Sequence, residues 1–265
     1  MEGQPAVSCI CLTYGRFEVL EEAIYSFLQQ DYAGQKELIV LNDYAGQTLQ
    51  FDHHEVQVIN CPIRFRTLGE KRNAAVALAS HALIFLWDDD DICLPHRLRF
   101  SIEHFDQHKG FFKPDKAFFM QDRKIQNIAG RNQFPALGCW SRELFDDVRG
   151  YVAEGTGCEF VFEQDLAQRY PGAIGKYQIN PADIYYIYRW QGTGSYHISA
   201  YGSYKKAGEN IGHGQVGFFV QQRAERGEIR QGHISLQPHW ETDYAQLVTN
   251  YLATLAEPQA QGTSS

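Results

Sequence analysis

No stretch of this sequence approaches the ~18 consecutive apolar residues that a membrane-crossing helix needs. The opening residues, MEGQPAVSCICL, lack the basic start and long apolar run of a signal peptide, so a cytoplasmic protein is expected. Six cysteines (Cys9, Cys11, Cys61, Cys93, Cys139 and Cys158) are scattered without any C-x-x-C pair. Several lie in apolar stretches, where a free thiol behaves as a small hydrophobe, so reduced thiols are expected rather than a disulfide framework. Positive charge is also scarce. A formal net charge of −8 argues against a general nucleic-acid binder, and an anionic ligand would need a local device such as a metal ion. The phosphate loop G-x-x-x-x-G-K-[ST], the nucleophile elbow G-x-S-x-G and the zinc helix H-E-x-x-H are all missing. Gly212-His213-Gly214-Gln215-Val216-Gly217 has G-x-G-x-x-G spacing but follows no convincing strand, so it is not a dinucleotide fingerprint. Gly202–Gly217 reads instead as a mobile loop, a candidate lid from which Lys205 and Lys206 reach a diphosphate.

What is present is a large core. Of the 265 residues 44% are hydrophobic and 14% aromatic, enough for one large domain or two tightly joined halves. Val7–Leu12 (VSCICL), Glu37–Leu41 (ELIVL) and Ala82–Trp87 (ALIFLW) are short apolar runs of the kind that buried strands show, and Val56–Ile59 is a further strand. Phe17, Leu20, Ile24 and Phe27 recur at helical spacing and predict a helix over Phe17–Gln30. The alanine-rich Gly69–Ser80 predicts a second helix, and Pro95 opens a third over His96–His108. This alternation predicts an α/β fold with a mostly parallel, Rossmann-like, doubly wound sheet flanked by helices. The second half is less regular. Strands are expected near Ala117–Met120 and Tyr185–Trp190, helices near Arg142–Val148 and Phe160–Arg169, and a frayed polar tail at the end.

Asp88-Asp89-Asp90-Asp91 follow directly on ALIFLW. In an open parallel sheet ligands bind beyond the carboxyl ends of the strands, so this run stands on the ligand edge. Hard cations such as Mg²⁺ and Mn²⁺ take carboxylate oxygens and keep positions for substrate phosphates. In extended backbone Asp88 and Asp90 point the same way, so one can grip a cation while the other meets ribose or sugar hydroxyls. The plain alternative is a solvated acidic turn ahead of the Pro95 helix. Placement behind a buried strand favours the site.

Four segments then stand in order: Thr13-Tyr14-Gly15-Arg16, Asn42-Asp43, Gly69-Glu70-Lys71-Arg72-Asn73-Ala74-Ala75, and Trp87-Asp88-Asp89-Asp90-Asp91-Ile92-Cys93-Leu94-Pro95. Together they resemble the family-2 glycosyltransferases of GT-A fold. That family shows a T-Y-N-R-like turn, an acidic pair, G-x-x-R-N-x-A, and hydrophobic-D-x-D-D followed by I-x-x-P. Gly15 departs from it, standing in the usual asparagine place. The resemblance implies a GT-A (nucleotide-diphospho-sugar transferase) fold and a nucleotide-sugar donor site. It implies that Asp43 accepts from the base, that Thr13, Tyr14 and Arg16 surround the nucleoside, and that Lys71 or Arg72 approaches nucleotide or phosphate. Asp88 would meet ribose or sugar, with Asp89 beside it in the cofactor-binding set. Asp90 would hold the metal, Mn²⁺ or Mg²⁺.

The resemblance further implies a general base. Inverting members carry a carboxylate in an E-D-like motif, which takes the proton of the acceptor hydroxyl. Aligning Phe162–Arg169 on Leu166 and Arg169 puts Glu163 at that position, with Asp165 as its rival. His197 stands where some GT-A enzymes take a further metal ligand, and Trp190 can stack on a sugar face or pack in the core. The expected activity is metal-dependent, inverting and hexosyltransferase-like, carrying a sugar from a UDP-sugar to an acceptor hydroxyl in glycan or polysaccharide biosynthesis. The acceptor is a glycan, a lipid-linked or a small molecule, met in the cytoplasm or at the inner face of the membrane. A single domain over 1–265 is expected. It divides into a donor half 1–95, an acceptor half 96–200, a lid or helical extension 201–255 and a flexible tail 256–265. Two other classes fit the sequence less well. A sugar-phosphate nucleotidyltransferase would open with a glycine-rich basic loop, for which Thr13–Arg16 is too short. A non-catalytic glycan-binding relative would have little use for both the acidic run and a base.

Overall fold

The computed structural model describes residues 3–105, 110–130, 134–154, 157–172, 177–190 and 213–256. Strand β1 (Val7–Thr13) is buried on both faces, as its unbroken apolar sequence dictates. Helix α1 (Phe17–Leu28) lays Phe17, Leu20, Ala23, Ile24 and Phe27 into the core and leads to β2 (Lys36–Asn42). A short β3 (Gln47–Gln50) and β4 (Val56–Asn60) follow. Helix α2 (Leu68–Leu78) starts one residue ahead of the predicted Gly69 because Thr67 and Glu70 form a capping box. The Thr67 hydroxyl accepts from the Glu70 N–H at 3.1 Å, and the Glu70 carboxylate accepts from the Thr67 N–H at 3.2 Å. Strand β5 (Leu83–Leu86) then carries the chain to the acidic run.

β1 pairs in parallel with both β2 and β5, and β2 with β4. Thr13 lies opposite Asn42, and Ile10 opposite Leu86, so the segments after all three strands leave from one carboxyl edge. Two antiparallel strands complete the six-stranded sheet on the far side. These are β10 (Cys139–Ser141) on β5, and β7 (Phe111–Phe112) on β10. Between the two halves run β6 (Ile92–Cys93) and α3 (Arg97–Glu103), which is shorter than the predicted His96–His108; residues 106–109 lie outside the described set.

Arg97 is fully buried and ties this junction together. Its guanidinium donates to the Leu86 and Ala136 carbonyls, both at 2.6 Å, and to Cys93 Sγ at 2.7 Å, while lying 4.7 Å from the Trp87 ring centre. Arg97→Ala would leave two carbonyls unmet and a cavity under Trp87. A loss of roughly 3–5 kcal/mol is expected, seen as a lower urea midpoint at unchanged slope.

A second sheet packs against the first, with strands in the order β6-β11-β8-β9. Strands β8 (Lys116–Gln121) and β9 (Lys124–Gly130) form a hairpin turned by Asp122 and Arg123, both at positive φ, as a two-residue hairpin loop requires. Helices α4 (Arg142–Asp147) and α5 (Cys158–Arg169) precede β11 (Tyr186–Arg189), which runs antiparallel to β6 and parallel to β8. The predicted loop over 202–217 is partly corrected. Helix α6 (His213–Glu225) already covers 213–217, because Val216 and Val220 find an apolar seat on Tyr14 and Tyr44; residues 202–212, with Lys205 and Lys206, lie outside the described set. The chain then returns to its N-terminal part. Strand β12 (Gly232–Ser235) pairs in parallel with β3, and α7 (Tyr244–Ala256) packs beside β9. Among the described residues no helix is long and apolar enough to cross a membrane. All six cysteines are free thiols, five of them buried.

Candidate active site

The turn after β1 is shaped by Gly15, whose φ of +71° suits a residue without a side chain. A Cβ there would lie 2.9 Å from Val220 Cγ1 of α6 and 3.5 Å from the Tyr44 ring. Packing of α6 against the turn therefore leaves no room for a side chain at Gly15. Beyond the turn Arg16 swings back onto the acidic run, donating to Asp89 Oδ1 at 2.5 Å and to Asp90 Oδ2 at 3.1 Å, all three residues being buried. Arg16 thereby ties the turn after β1 to the aspartates.

Asp88 is half-buried, and Asp89, Asp90 and Asp91 are buried. Carboxylate oxygens of Asp88, Asp90 and Asp91 lie within 4.8 Å of one another. Asp91 is fastened from β11: Tyr186 Oη donates to its Oδ2 at 2.6 Å and the Arg189 N–H to its Oδ1 at 2.7 Å. Arg189 Nε also donates to the Asp90 carbonyl at 2.6 Å, and Tyr186 Oη stands 3.4 Å from Asp88 Oδ2. Burial pushes the Asp88 carboxyl up to about 7, against the Arg72 charge and with help from Asp90 and Glu159. Burial likewise raises Asp89 to about 6 against Arg16, and raises Asp91 well above the carboxylate range. Converging carboxylates that resist ionisation are the donor set a hard divalent cation favours, since its charge offsets both burial and mutual repulsion. The residues fit such an ion.

Next to this cluster, Lys71 Nζ donates to Asp43 Oδ1 at 2.5 Å and to the Thr13 carbonyl at 2.7 Å. Asp43 Oδ2 accepts from the Phe65 N–H at 3.0 Å. Burial lowers the Lys71 ammonium, with Asp43 opposing. Tyr14 is half-buried, edge-on to Tyr44 at 5.2 Å, with the Arg64 guanidinium 4.3 Å over its ring centre. Thr13, Tyr14, Asp43 and Lys71 are thus one contiguous group. Gly69 serves it at a distance: a Cβ there would fall 1.8 Å from the Val152 carbonyl, so only glycine lets α2 approach the 150–154 segment.

Arg72 turns the other way, onto Glu159 at 2.5 Å in the first turn of α5, and its charge bears on Asp88. Glu163 lies one turn further along α5, in a buried ion pair with Lys113 at 2.6 Å. Burial raises the Glu163 carboxyl, and Lys113 pulls it back. Asp165 is half-buried on the same helix. Trp190 stacks on Tyr188 at 6.4 Å, and His197 lies outside the described residues. Sequence reasoning passed over Tyr186, Arg64, Lys113 and Glu159, and singled out Tyr188-Arg189-Trp190 without giving Arg189 a role. The one available signal was Arg189 within Tyr188-Arg189-Trp190, a cation inside an otherwise apolar strand.

The model of the glycosyl transferase family 2 matches residues 8–152, more than half of the chain. Among solved structures, S. aureus TarS 1-349 matches with a TM-score of 0.52 at 14% identity, over 69% of this chain and 60% of that one. The same protein in complex with UDP gives 0.52 at 16% identity over the same shares. Its complex with UDP-GlcNAc gives 0.56 at 13% identity, over 93% of this chain and 71% of that one. At these identities the likeness speaks to the fold, and the chain spans 60% of the length of the first of these structures. With the parallel core β4-β2-β1-β5 and its acidic carboxyl edge, the arrangement is the GT-A fold. The chain belongs to glycosyl transferase family 2.

Proposed function

We propose that this enzyme is a divalent-cation-dependent, inverting, hexosyltransferase-like glycosyltransferase that takes its sugar from a UDP-sugar. The observation that carries the reading is the convergence of Asp88, Asp90 and Asp91 on the strand edge that also presents Asp43 and Tyr14. Mn²⁺ or Mg²⁺, when bound, would offset the charge of the departing nucleotide diphosphate. Asp90 and Asp88 would hold the cation and meet the ribose or sugar, with Asp89 kept in place by Arg16. Asp43 would accept from the base, Thr13, Tyr14 and Arg16 would lie around the nucleoside, and Lys71 or Arg72 would approach nucleotide or phosphate. A carboxylate of α5, Glu163 or Asp165, would take the proton of the acceptor hydroxyl as it attacks from the face opposite the leaving group, which inverts the anomeric centre. Glu163 must part from Lys113 to do so. His197 would add a ligand.

In this reading 1–95 is the donor half, 96–200 the acceptor half, 201–255 an extension and 256–265 a tail. The acceptor is a glycan, lipid-linked or small molecule of glycan or polysaccharide biosynthesis. The free thiols support a reducing, cytoplasmic setting, with a lipid-linked acceptor met at the inner face of the membrane.

A thermal-shift screen of nucleotides and nucleotide sugars, with and without Mn²⁺, tests the donor site. A ligand at a hundredfold excess over its Kd stabilises by about 2.7 kcal/mol. For a domain of this size that is a shift of roughly 5–10 °C, expected for UDP and a UDP-sugar with Mn²⁺ and much reduced without it. Equal shifts with and without the cation, or no nucleotide shift at all, would overturn the reading.

A further inference from the structure

Arg189, the last residue of β11, is fully buried and reaches three parts of the chain. Its backbone N–H and Nε hold Asp91 Oδ1 and the Asp90 carbonyl, at 2.7 and 2.6 Å. Its Nη1 donates to Glu22 Oε2 on α1, and to Tyr244 Oη at 3.0 Å on α7. The Tyr244 hydroxyl passes its own proton to Glu22 Oε1 at 2.7 Å. The three side chains thus close a ring in which each polar hydrogen has a direction: Arg189 donates twice, Tyr244 accepts and donates, and Glu22 only accepts. Glu22 and Tyr244 are buried as well.

A buried ion pair adds little stability over well-packed apolar residues of similar volume, so its position calls for another reason. Its geometry supplies one. Helix α1 begins beside Arg16, which grips the Asp89 and Asp90 carboxylates; two turns later the same helix offers Glu22 to the arginine that grips the Asp90 backbone. The C-terminal run is laid across α1 by further bonds. The Gln237 N–H donates to Glu21 Oε1 at 2.7 Å, and Trp240 Nε1 donates to Ser26 Oγ at 3.0 Å. Trp240 also sets the Tyr244 ring, edge-on at 5.5 Å.

We propose that Tyr244, through Glu22 and Arg189, is a positioning residue for the Asp88–Asp91 loop, so that α7 completes the donor site. The proposal rests on the cation reading of that loop. Tyr244 lies well outside residues 8–152 matched by the family model, so this contact ties a segment beyond that match to the loop. Partners that orient metal-holding groups alter affinity when removed, commonly by 10–100-fold.

Tyr244→Phe keeps the ring and its contact with Trp240 and removes only the hydroxyl. Tyr251→Phe, on the same helix and edge-on to Phe118, is the control. Two readouts are taken: amide exchange over residues 87–94 in cation-free protein, and Mn²⁺ affinity in the presence of UDP, measured by calorimetry. Tyr244→Phe is expected to lower the melting temperature by a few degrees, to speed exchange in 87–94 beyond the change in the rest of the sheet, and to weaken Mn²⁺ binding about tenfold. Arg189→Lys keeps a charge for Glu22 but loses the Nε–H on Asp90, and is expected to act in the same direction and more strongly. Tyr251→Phe is expected to do neither. A folded Tyr244→Phe with wild-type exchange and wild-type Mn²⁺ affinity would overturn the proposal and leave the donor-site reading standing. Should the wild-type protein take up no Mn²⁺, the cation reading falls, and the exchange result alone decides whether Tyr244 holds the loop.

Discussion

Asp90→Ala is expected to yield a folded protein that has lost on the order of 10²–10³-fold in sugar transfer, together with the Mn²⁺-dependent part of UDP binding. Asp90 is the residue of the run whose carboxylate faces the cluster and whose carbonyl is separately held by Arg189, so the loop has a backbone anchor that the substitution spares. Arg16 retains Asp89. The loss therefore reads out the missing carboxylate and not a collapsed loop. Wild-type donor turnover and Mn²⁺-dependent nucleotide binding in this variant would sink the mechanism. A companion change, Asp88→Asn, separates chemistry from stability. Burial raises Asp88 to about 7, against Arg72, so between its ordinary value and 7 the folded, cation-free protein binds a proton that the unfolded chain has already released. That contribution is present at low pH and declines as pH rises through this window, because ionising the pocket then costs the fold. Asp88→Asn removes it. With no cation present, the variant should match the wild type only below about pH 4, gain on it in melting temperature as pH rises to about 7 and keep that lead near pH 8, while losing transfer activity. The site trades fold stability for a place to hold charge.

The fold was legible where burial is two-sided. VSCICL, ELIVL and ALIFLW could only be central strands, and their common carboxyl edge follows from parallel pairing. The segments that escaped prediction are those whose partner lies far along the chain. Strand β12 is polar and ends on Ser235, and nothing local marks it as a strand until Gly232–Ser235 meets Gln47–Gln50. Strand β9 (KIQNIAG) is the exception: its partner β8 is adjacent, and it escapes because Ile125 is its one buried residue, too little for an apolar run. Helix α6 looked like a glycine-rich loop because its apolar face, Val216 and Val220, makes sense only against Tyr14 and Tyr44.

The site divides in the same way. Asp43 and Asp88–Asp91 could be picked out because carboxylates at strand ends are a local signal. Arg16 stands among the residues the sequence singles out, and a turn with Gly15 at positive φ sends it onto Asp89 and Asp90, a contact that sequence spacing does not reveal. Tyr186, Arg189 and Glu159 matter only through what the fold sets beside them. Arg189 in particular is a cation in an apolar strand, a sign that a buried counter-charge must exist, but its partner Glu22 sits on a helix whose pattern reads as an ordinary amphipathic face.

Asp43→Ala is expected to damage both stability and binding, and a second substitution separates the two. Asp43 and Lys71 are buried, joined at 2.5 Å, and the Asp43 carboxylate also holds the Phe65 N–H. Removing the carboxylate leaves an ammonium in a site where burial already lowers it and where Asp43 is the chief opposing influence. Breaking one side of a buried pair costs roughly 3–5 kcal/mol. For a chain of this length that is a fall of about 10 °C in melting temperature. The sign with pH follows from the lysine. With its partner gone Lys71 sheds its proton in the fold but keeps it when unfolded, so the deficit of Asp43→Ala should shrink as pH rises towards the ordinary lysine range. Asp43→Asn combined with Lys71→Met removes both charges, keeps an acceptor for the Phe65 N–H and fills the space left by the lysine stem. It should recover most of the melting temperature. Under the donor-site reading it should not recover UDP affinity, because the group that accepts from the base is still missing. A double variant that regains both would make this pair a structural tie alone and move the nucleoside elsewhere on the sheet edge. A double variant that regains stability without UDP would make the Asp43–Lys71 pair part of the nucleotide's binding site.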